Sequence, residues 1–303
     1  MRASIATSLI RPTGAKSDGG RSNKEWKGME QHEKVVIVTG ASSGIGNACA
    51  TFLAKKGFRV FGTCRNPATY TKKADEFFEL VAMDVTDDES VSKAVAAVLA
   101  KAGHIDGILC NAGMGIAGSI EDSSMEEIFL QINTNFLGAV RSIKAVLPAM
   151  RAAGAGKILV LSSIAGVVGM PFQAFYSASK YAIEGMVESL RYEVRPFGVQ
   201  ACLIEPGDFR TGFTAARRYV KKADDASAYK KFFDAAMGVQ IHDESHGFDP
   251  LVAAKRVHQL FGAARLPLRT TVGPGIERFA VMVKRLVPAR WFEKFYRVYY
   301  KLP

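Results

Sequence analysis

Tyr176 and Lys180 stand four residues apart, with Ser163 thirteen residues ahead of the tyrosine. At a spacing of four, two side chains share one face of a helix, a turn from each other. A free phenol ionises at a pH of about 10 and is a poor acid or base near neutrality. A neighbouring ammonium favours the phenolate and pulls that value down. Bringing it to neutrality takes about 4 kcal/mol of differential stabilisation, which a partly desolvated cation can supply. The chemistry on offer is proton transfer at a hydroxyl or carbonyl. A Tyr-Lys pair on an ordinary exposed helix looks the same in isolation, so the surrounding elements decide.

Those elements alternate. Lys34–Thr39 is a short β-branched run fit for a strand buried on both faces. It leads into Gly40-Ala41-Ser42-Ser43-Gly44-Ile45-Gly46, then an Ala-rich helix from Asn47 to Lys56. In that context Gly40 permits a tight turn. Gly44 and Gly46 let backbone and helix start approach a pyrophosphate, whose charge a helix N-terminus favours. The spacing is GxxxGxG rather than the GxGxxG of the common fingerprint. A second strand, Phe58–Thr63, ends at Cys64-Arg65. An acid there would accept from the 2′-hydroxyl of NAD, whereas an arginine pairs with the 2′-phosphate of NADP. No carboxylate is present, so Arg65 points to NADP(H). Further strands are expected at Phe77–Met83, ending at Asp84-Val85, and at Ile105–Cys110, ending at Asn111-Ala112-Gly113. Lys157–Ser162 puts Ser163 at a strand's carboxyl end, Val199–Ile204 runs into Glu205-Pro206-Gly207, and Leu268–Val272 is last. Helices are expected at Ser90–Lys101, Ser124–Ala153, from Tyr176 to about Arg195, and at Pro250–Ala264. Asn133 and Asn135 inside the second are unusual, since Asn competes for backbone hydrogen bonds. Such alternation predicts a parallel, doubly wound α/β sheet whose ligands sit beyond the carboxyl ends of the strands.

At 303 residues, with neither linker nor internal repeat, one domain is predicted from residue 34 to the end. Residues 1–33 read as a disordered basic extension with weak transit-peptide character, the unstructured reading being preferred and Met29 an alternative start. Cys49, Cys64, Cys110 and Cys202 have no metal-like spacing and read as reduced thiols, which suits the cytoplasm. No run of 18 apolar residues exists, so no spanning helix is expected. The net charge of +11 lies at the two ends, which argues against nucleic acid as a partner. Residues 208–248 mix aromatic, basic and small residues; so long an excursion at a ligand-bearing edge reads as a substrate lid. Residues 275–303 pair two basic, aromatic segments around Pro288. Trp291, Phe295 and Val298 make one helical stripe flanked by Lys294, Arg297 and Lys301. Two readings stay open: a helix lying in a membrane interface, and helices packed on the domain, which is preferred.

Taken together, Thr39–Gly46, Asn111–Gly113, Asn135, Ser163, Tyr176-x-x-x-Lys180 and Pro206-Gly207-x-x-x-Thr211 occur in an order that resembles the short-chain dehydrogenase/reductase family, in its compact branch. The resemblance spans about residues 34–272. It implies a single Rossmann-type domain with seven parallel strands in the order 3-2-1-4-5-6-7 and helices on both faces. It further implies a tetrad. Tyr176 is the acid or base, Lys180 lowers its pKa and holds the nicotinamide ribose, Ser163 binds the substrate oxygen, and Asn135 holds a proton-relay water. Asp84 and Val85 would contact adenine, Asn111–Gly113 border the cofactor, and Thr211 hold the carboxamide. Glu205 departs from the apolar or small residues expected there. The look is nearest to steroid and retinol dehydrogenases. With the apolar stretch Gly166–Phe172, this implies a lipophilic ketone or alcohol as substrate. A homodimer or homotetramer paired through the two long helices is implied as well. The alternative reading is a cofactor-binding sensor or scaffold of the same fold without turnover.

Overall fold

The computed structural model describes residues 33–303, the side chains of residues 276, 277, 280 and 285 excepted. Residues 1–32, nearly all of the predicted basic extension, lie outside the described residues.

In chain order the strands are β1 (Val35–Thr39), β2 (Arg59–Cys64), β3 (Glu79–Ala82), β4 (Gly107–Cys110), β5 (Ile116–Ala117), β6 (Gly156–Leu161), β7 (Val199–Pro206), β8 (Arg218–Tyr219) and β9 (Arg269–Val272). The helices are α1 (Gly44–Lys55), α2 (Asp88–Ala102), α3 (Met125–Ile132), α4 (Gly138–Ala153), α5 (Ala174–Val194), α6 (Phe213–Ala216), α7 (Lys230–Ser245), α8 (Pro250–Gly262), α9 (Gly275–Leu286) and α10 (Ala289–Tyr299). Seven strands form one parallel sheet ordered β3-β2-β1-β4-β6-β7-β9. Counted among themselves they follow the expected 3-2-1-4-5-6-7. From β1 the chain moves outward to β3 and then crosses to β4, so β1 and β4 flank the switch point where a crevice opens. The short β5 and β8 pair separately.

Both faces of the sheet are covered, which is why its central strands read as unbroken apolar runs. On one face Ile37, Ile108, Ile158 and Leu203 pack with Val95 and Val98 of α2, Val146 and Met150 of α4, and Ile183 and Val187 of α5. On the other, Val38, Leu109 and Leu159 meet Cys49 and Leu53 of α1 and Val257 and Phe261 of α8. Each fully buried Val, Leu or Ile contributes about 1.5–3 kcal/mol.

Two expectations change. The third strand is shorter than Phe77–Met83, because it lies at the sheet's edge and pairs only with β2. Phe78 is buried while Phe77 is 68% exposed. The long helix is interrupted: α3 and α4 are joined by a π-helical turn at Asn133–Leu137, a local widening that often marks functional sites. Residues 208–248 contain α6, β8 and α7. At the C-terminus, α9 and α10 place Val281, Phe292 and Tyr296 against Ile164, Val167 and Val168. No helix among the described residues is long and apolar enough to cross a membrane.

Candidate active site

The glycine loop after β1 takes its shape from crowding. Gly40 has φ +67, and a Cβ there would come 2.9 Å from the Ala112 backbone. The Thr39 hydroxyl accepts from the backbone N–H groups of Asn111 and Ala112, each at 2.9 Å. Asn111 Nδ2 donates back to the Thr39 carbonyl at 2.8 Å and to that of Gly40 at 3.2 Å. The loops following β1 and β4 are thus tied to each other at the mouth of the crevice, beside the N-terminus of α1.

Tyr176 lies in the first turn of α5, and Ser163 follows the end of β6. Ser163 and Tyr176 line the same cavity, and the Ser163 hydroxyl accepts from the backbone of Ala165 at 3.1 Å. Lys180, 5% exposed, donates from Nζ to the Leu161 carbonyl at 2.8 Å and sits 5.7 Å from the centre of the Tyr176 ring. Burial pushes the Tyr176 phenol up to about 12; the neighbouring Ser163 hydroxyl works against this, Glu244 and Asp208 add to it, and Arg217 opposes it. Burial also brings the Lys180 ammonium down to about 8, against the field of Glu184. In the protein alone desolvation is the leading cause at both groups, raising the phenol and lowering the ammonium.

A single cavity of about 680 Å³ gathers Ser163, Tyr176 and Lys180 with the expected cofactor residues Gly40, Ser42, Ser43, Gly44, Ile45, Arg65, Asp84, Val85, Asn111, Ala112, Gly113, Pro206, Gly207 and Thr211. Two expected residues are not in its wall. A Cβ on Gly46 would come 2.3 Å from the Gly40 carbonyl oxygen, so this glycine lets helix and loop pack closely. Asn135, 2% exposed, lies behind the wall. Its oxygen accepts from the Met114 N–H at 2.8 Å, and its nitrogen donates to the Met114 carbonyl at 3.0 Å and to Ser179 Oγ at 3.2 Å. It pins the loop after β4 to α5.

The wall suits a dinucleotide. Arg65 is exposed at the end of β2, where no acid stands. Burial alone would raise the Asp84 carboxyl, but hydrogen bonds from Thr86 and the fields of Arg65 and Arg141 hold it below the usual carboxylate range. That leaves an anionic acceptor beside Val85. The α1 N-terminus offers unpaired N–H groups to phosphate.

Several residues of this site carry no motif. Phe213 of α6 lies 5.9 Å from Tyr176, centre to centre. Arg217 and Glu244 form an ion pair in the same cavity. The aromatic-basic alternation of residues 208–248 was the only sequence signal for them.

The family profile described as short chain dehydrogenase matches residues 34–222. The chain belongs to the short-chain dehydrogenase family. Members of this family are oxidoreductases that bind NAD or NADP, act on small substrates and are generally oligomeric. The chain is 38% identical over 269 residues to a 3-ketodihydrosphingosine reductase from Bacteroides thetaiotaomicron, covering 89% of this chain and 98% of that one. It is 37% identical over 191 residues to the human 17-beta-hydroxysteroid dehydrogenase type 1, covering 59% and 58% of the two chains. Among solved structures, a short-chain dehydrogenase from Streptomyces avermitilis aligns with a TM-score of 0.72 at 31% identity, over 84% of this chain and 93% of that one.

Proposed function

We propose that this chain is an NADP(H)-dependent reductase of lipophilic ketones, working in the reductive direction near neutral pH. The observation that carries this reading is the grouping of Ser163, Tyr176 and Lys180 in one cavity with the cofactor loops, where burial favours the protonated phenol. A protonated phenol is an acid, and reduction of a ketone needs one. Ser163 and Tyr176 both donate to the carbonyl oxygen, polarising it; the phenol then gives up its proton as the oxygen gains charge. Lys180 binds the nicotinamide ribose and steadies the transient phenolate. Arg65 holds the 2′-phosphate, Asp84 and Val85 the adenosine, and Thr211 the carboxamide. A bound nicotinamide supplies the hydride. Asn135 keeps the proton path behind Lys180 in register through Ser179. A sphingosine ketone and a steroid named for the two relatives support an apolar body on the substrate. The experiment is absorbance at 340 nm with NADPH and a panel of long-chain ketones, alongside Tyr176→Phe. Turnover in the phenylalanine variant within tenfold of the parent would remove Tyr176 as the acid.

Partners belong to the same proposal. Self-association through α3, α4 and α5 is supported by Phe129, 65% exposed on α3. A peripheral membrane contact is supported by α10, which has three faces. Phe292, Tyr296 and Tyr300 turn inward on the domain. Trp291, Phe295 and Val298 form an outward stripe, 62%, 55% and 72% exposed. Arg290, Lys294 and Arg297 occupy the third side, all exposed. On α9, Phe279, Met282 and Leu286 are exposed as well. An exposed apolar stripe with a cationic flank fits an anionic lipid surface, apolar side down. A second copy would bring the same cations against it. The proposed setting is the cytoplasmic face of a membrane.

A further inference from the structure

One charged pair in the cavity acts on Tyr176 through its field alone. Arg217 lies between α6 and β8, its side chain 1% exposed. Its Nη2 donates to Glu244 Oε1, and the other oxygen of Glu244 accepts from Thr214 Oγ1. Glu244 is therefore engaged on both oxygens. Arg217 is not: Nε and Nη1 are buried with no hydrogen-bond partner. A buried donor left unpaired costs about 1–3 kcal/mol, and more when charged. The guanidinium carbon lies 5.8 Å from the Phe213 ring centre, and that ring lies 5.9 Å from Tyr176. The unpaired donors thus sit one aromatic ring away from the acid, in the wall of the same cavity.

We propose that Arg217 is the specificity residue for a neutral hydrogen-bond acceptor on the substrate, a hydroxyl or carbonyl oxygen borne on the chain beside the reacting ketone. The assignment rests on the reading of the site as a carbonyl reductase. The charge balance selects a neutral acceptor. Glu244 already compensates the guanidinium, and Asp208 lies in the same wall. A carboxylate brought here would face both acids with its own charge uncompensated. A hydroxyl or carbonyl oxygen takes the free N–H groups without adding charge. The substrate class is accordingly an amphiphilic ketone: an apolar body along Met114, Leu130 and Met170, and an oxygen function toward Arg217.

The test uses the full chain with NADPH and three ketones of equal carbon number: a plain alkanone, a β-hydroxy ketone and a keto acid. The hydroxy ketone is expected to exceed the plain alkanone at least about tenfold in kcat/KM, mostly through KM. The keto acid is expected to gain nothing. In Arg217→Met/Glu244→Gln, which removes the pair without leaving a lone charge, the ratio is expected to fall to within about twofold. Arg217→Lys, which keeps charge but not the fork of donors, is expected to lose most of it. A parent enzyme that treats hydroxy and plain ketones alike would overturn the proposal, as would a ratio that survives in the double variant. Preference for the keto acid would overturn the neutral-acceptor assignment. If no ketone turns over, the reductase reading itself fails; calorimetric binding of the same three compounds still gives the ratio, so the two failures are told apart.

Discussion

Glu205 and Arg269 meet at 3.2 Å across the last two strands of the sheet, the carboxylate 1% and the guanidinium 26% exposed. The departure from an apolar or small residue before Pro206-Gly207 is thereby explained. Glu205 also accepts from Thr271 Oγ1 at 2.7 Å, and Arg269 reaches Glu184 at 3.2 Å and Glu188 at 2.5 Å. One arginine holds two buried carboxylates, and burial raises that of Glu184 above its usual range despite Ser162 and Arg269. Arg269→Met is expected to destabilise the protein by about 3–5 kcal/mol in urea, because it leaves those charges unpaired. The sign with pH follows. Carboxylates whose folded values are raised stabilise most below their unfolded value and lose that as pH rises, so the deficit should shrink between about pH 7 and pH 5. A deficit under about 1 kcal/mol at pH 7 would contradict the arrangement.

The proposed role of Arg65 is to set the cofactor preference. A charge-assisted arginine–phosphate pair supports about 10- to 100-fold tighter NADP(H) than NAD(H), from about 1.5–3 kcal/mol. Fluorescence titration of both cofactors checks this, and Arg65→Ala should compress the ratio toward unity. Equal affinities in the parent would refute it.

The raised Tyr176 value gives the two directions different pH profiles. The acid needed for reduction is present throughout the range below about 12, so kcat/KM for the ketone should stay level from about pH 6 to 8. Above about 8 Lys180 loses its charge and the rate should decline. The base needed for oxidation is scarce, so alcohol oxidation should climb about tenfold per pH unit over that range. Steady-state rates at saturating cofactor decide it; a level oxidation profile would show that the phenolate forms far more easily than burial allows.

The stripe on α10 is tested by flotation with phosphatidylglycerol-containing vesicles at low salt. Binding should come with a blue shift of Trp291 emission and weaken at least about tenfold in Trp291→Ser/Phe295→Ser/Val298→Ser, whose altered side chains lie outside the inward face. High salt should weaken it too, since the basic flank contributes. Equal flotation of parent and triple variant would end the membrane reading, and a sedimentation change confined to the parent would assign the stripe to a second copy.

The ordered motifs made strand ends and the Ser163, Tyr176, Lys180 grouping legible, because buried strands are apolar runs and their ligand loops follow at once. Gly46 and Asn135 carried the right motifs but lie behind the cavity. A motif records that a residue is needed, not whether it faces ligand or backbone. The π-helical turn at Asn133–Leu137 left only a pair of asparagines as its trace, and β5 and β8 are too short to show a pattern. Arg217 and Glu244 are 27 residues apart and meet only through the packing of α7. The raised phenol was hidden for a different reason: its size depends on how much water the fold removes, which spacing does not encode.

The tie between Thr39 and Asn111 has a mechanical meaning. Four hydrogen bonds close a ring between the glycine loop after β1 and the loop after β4. The two ends of the cofactor trough are therefore cooperative: opening one bond slackens the other three. A displacement of the glycine loop is therefore expected to carry the loop after β4 with it.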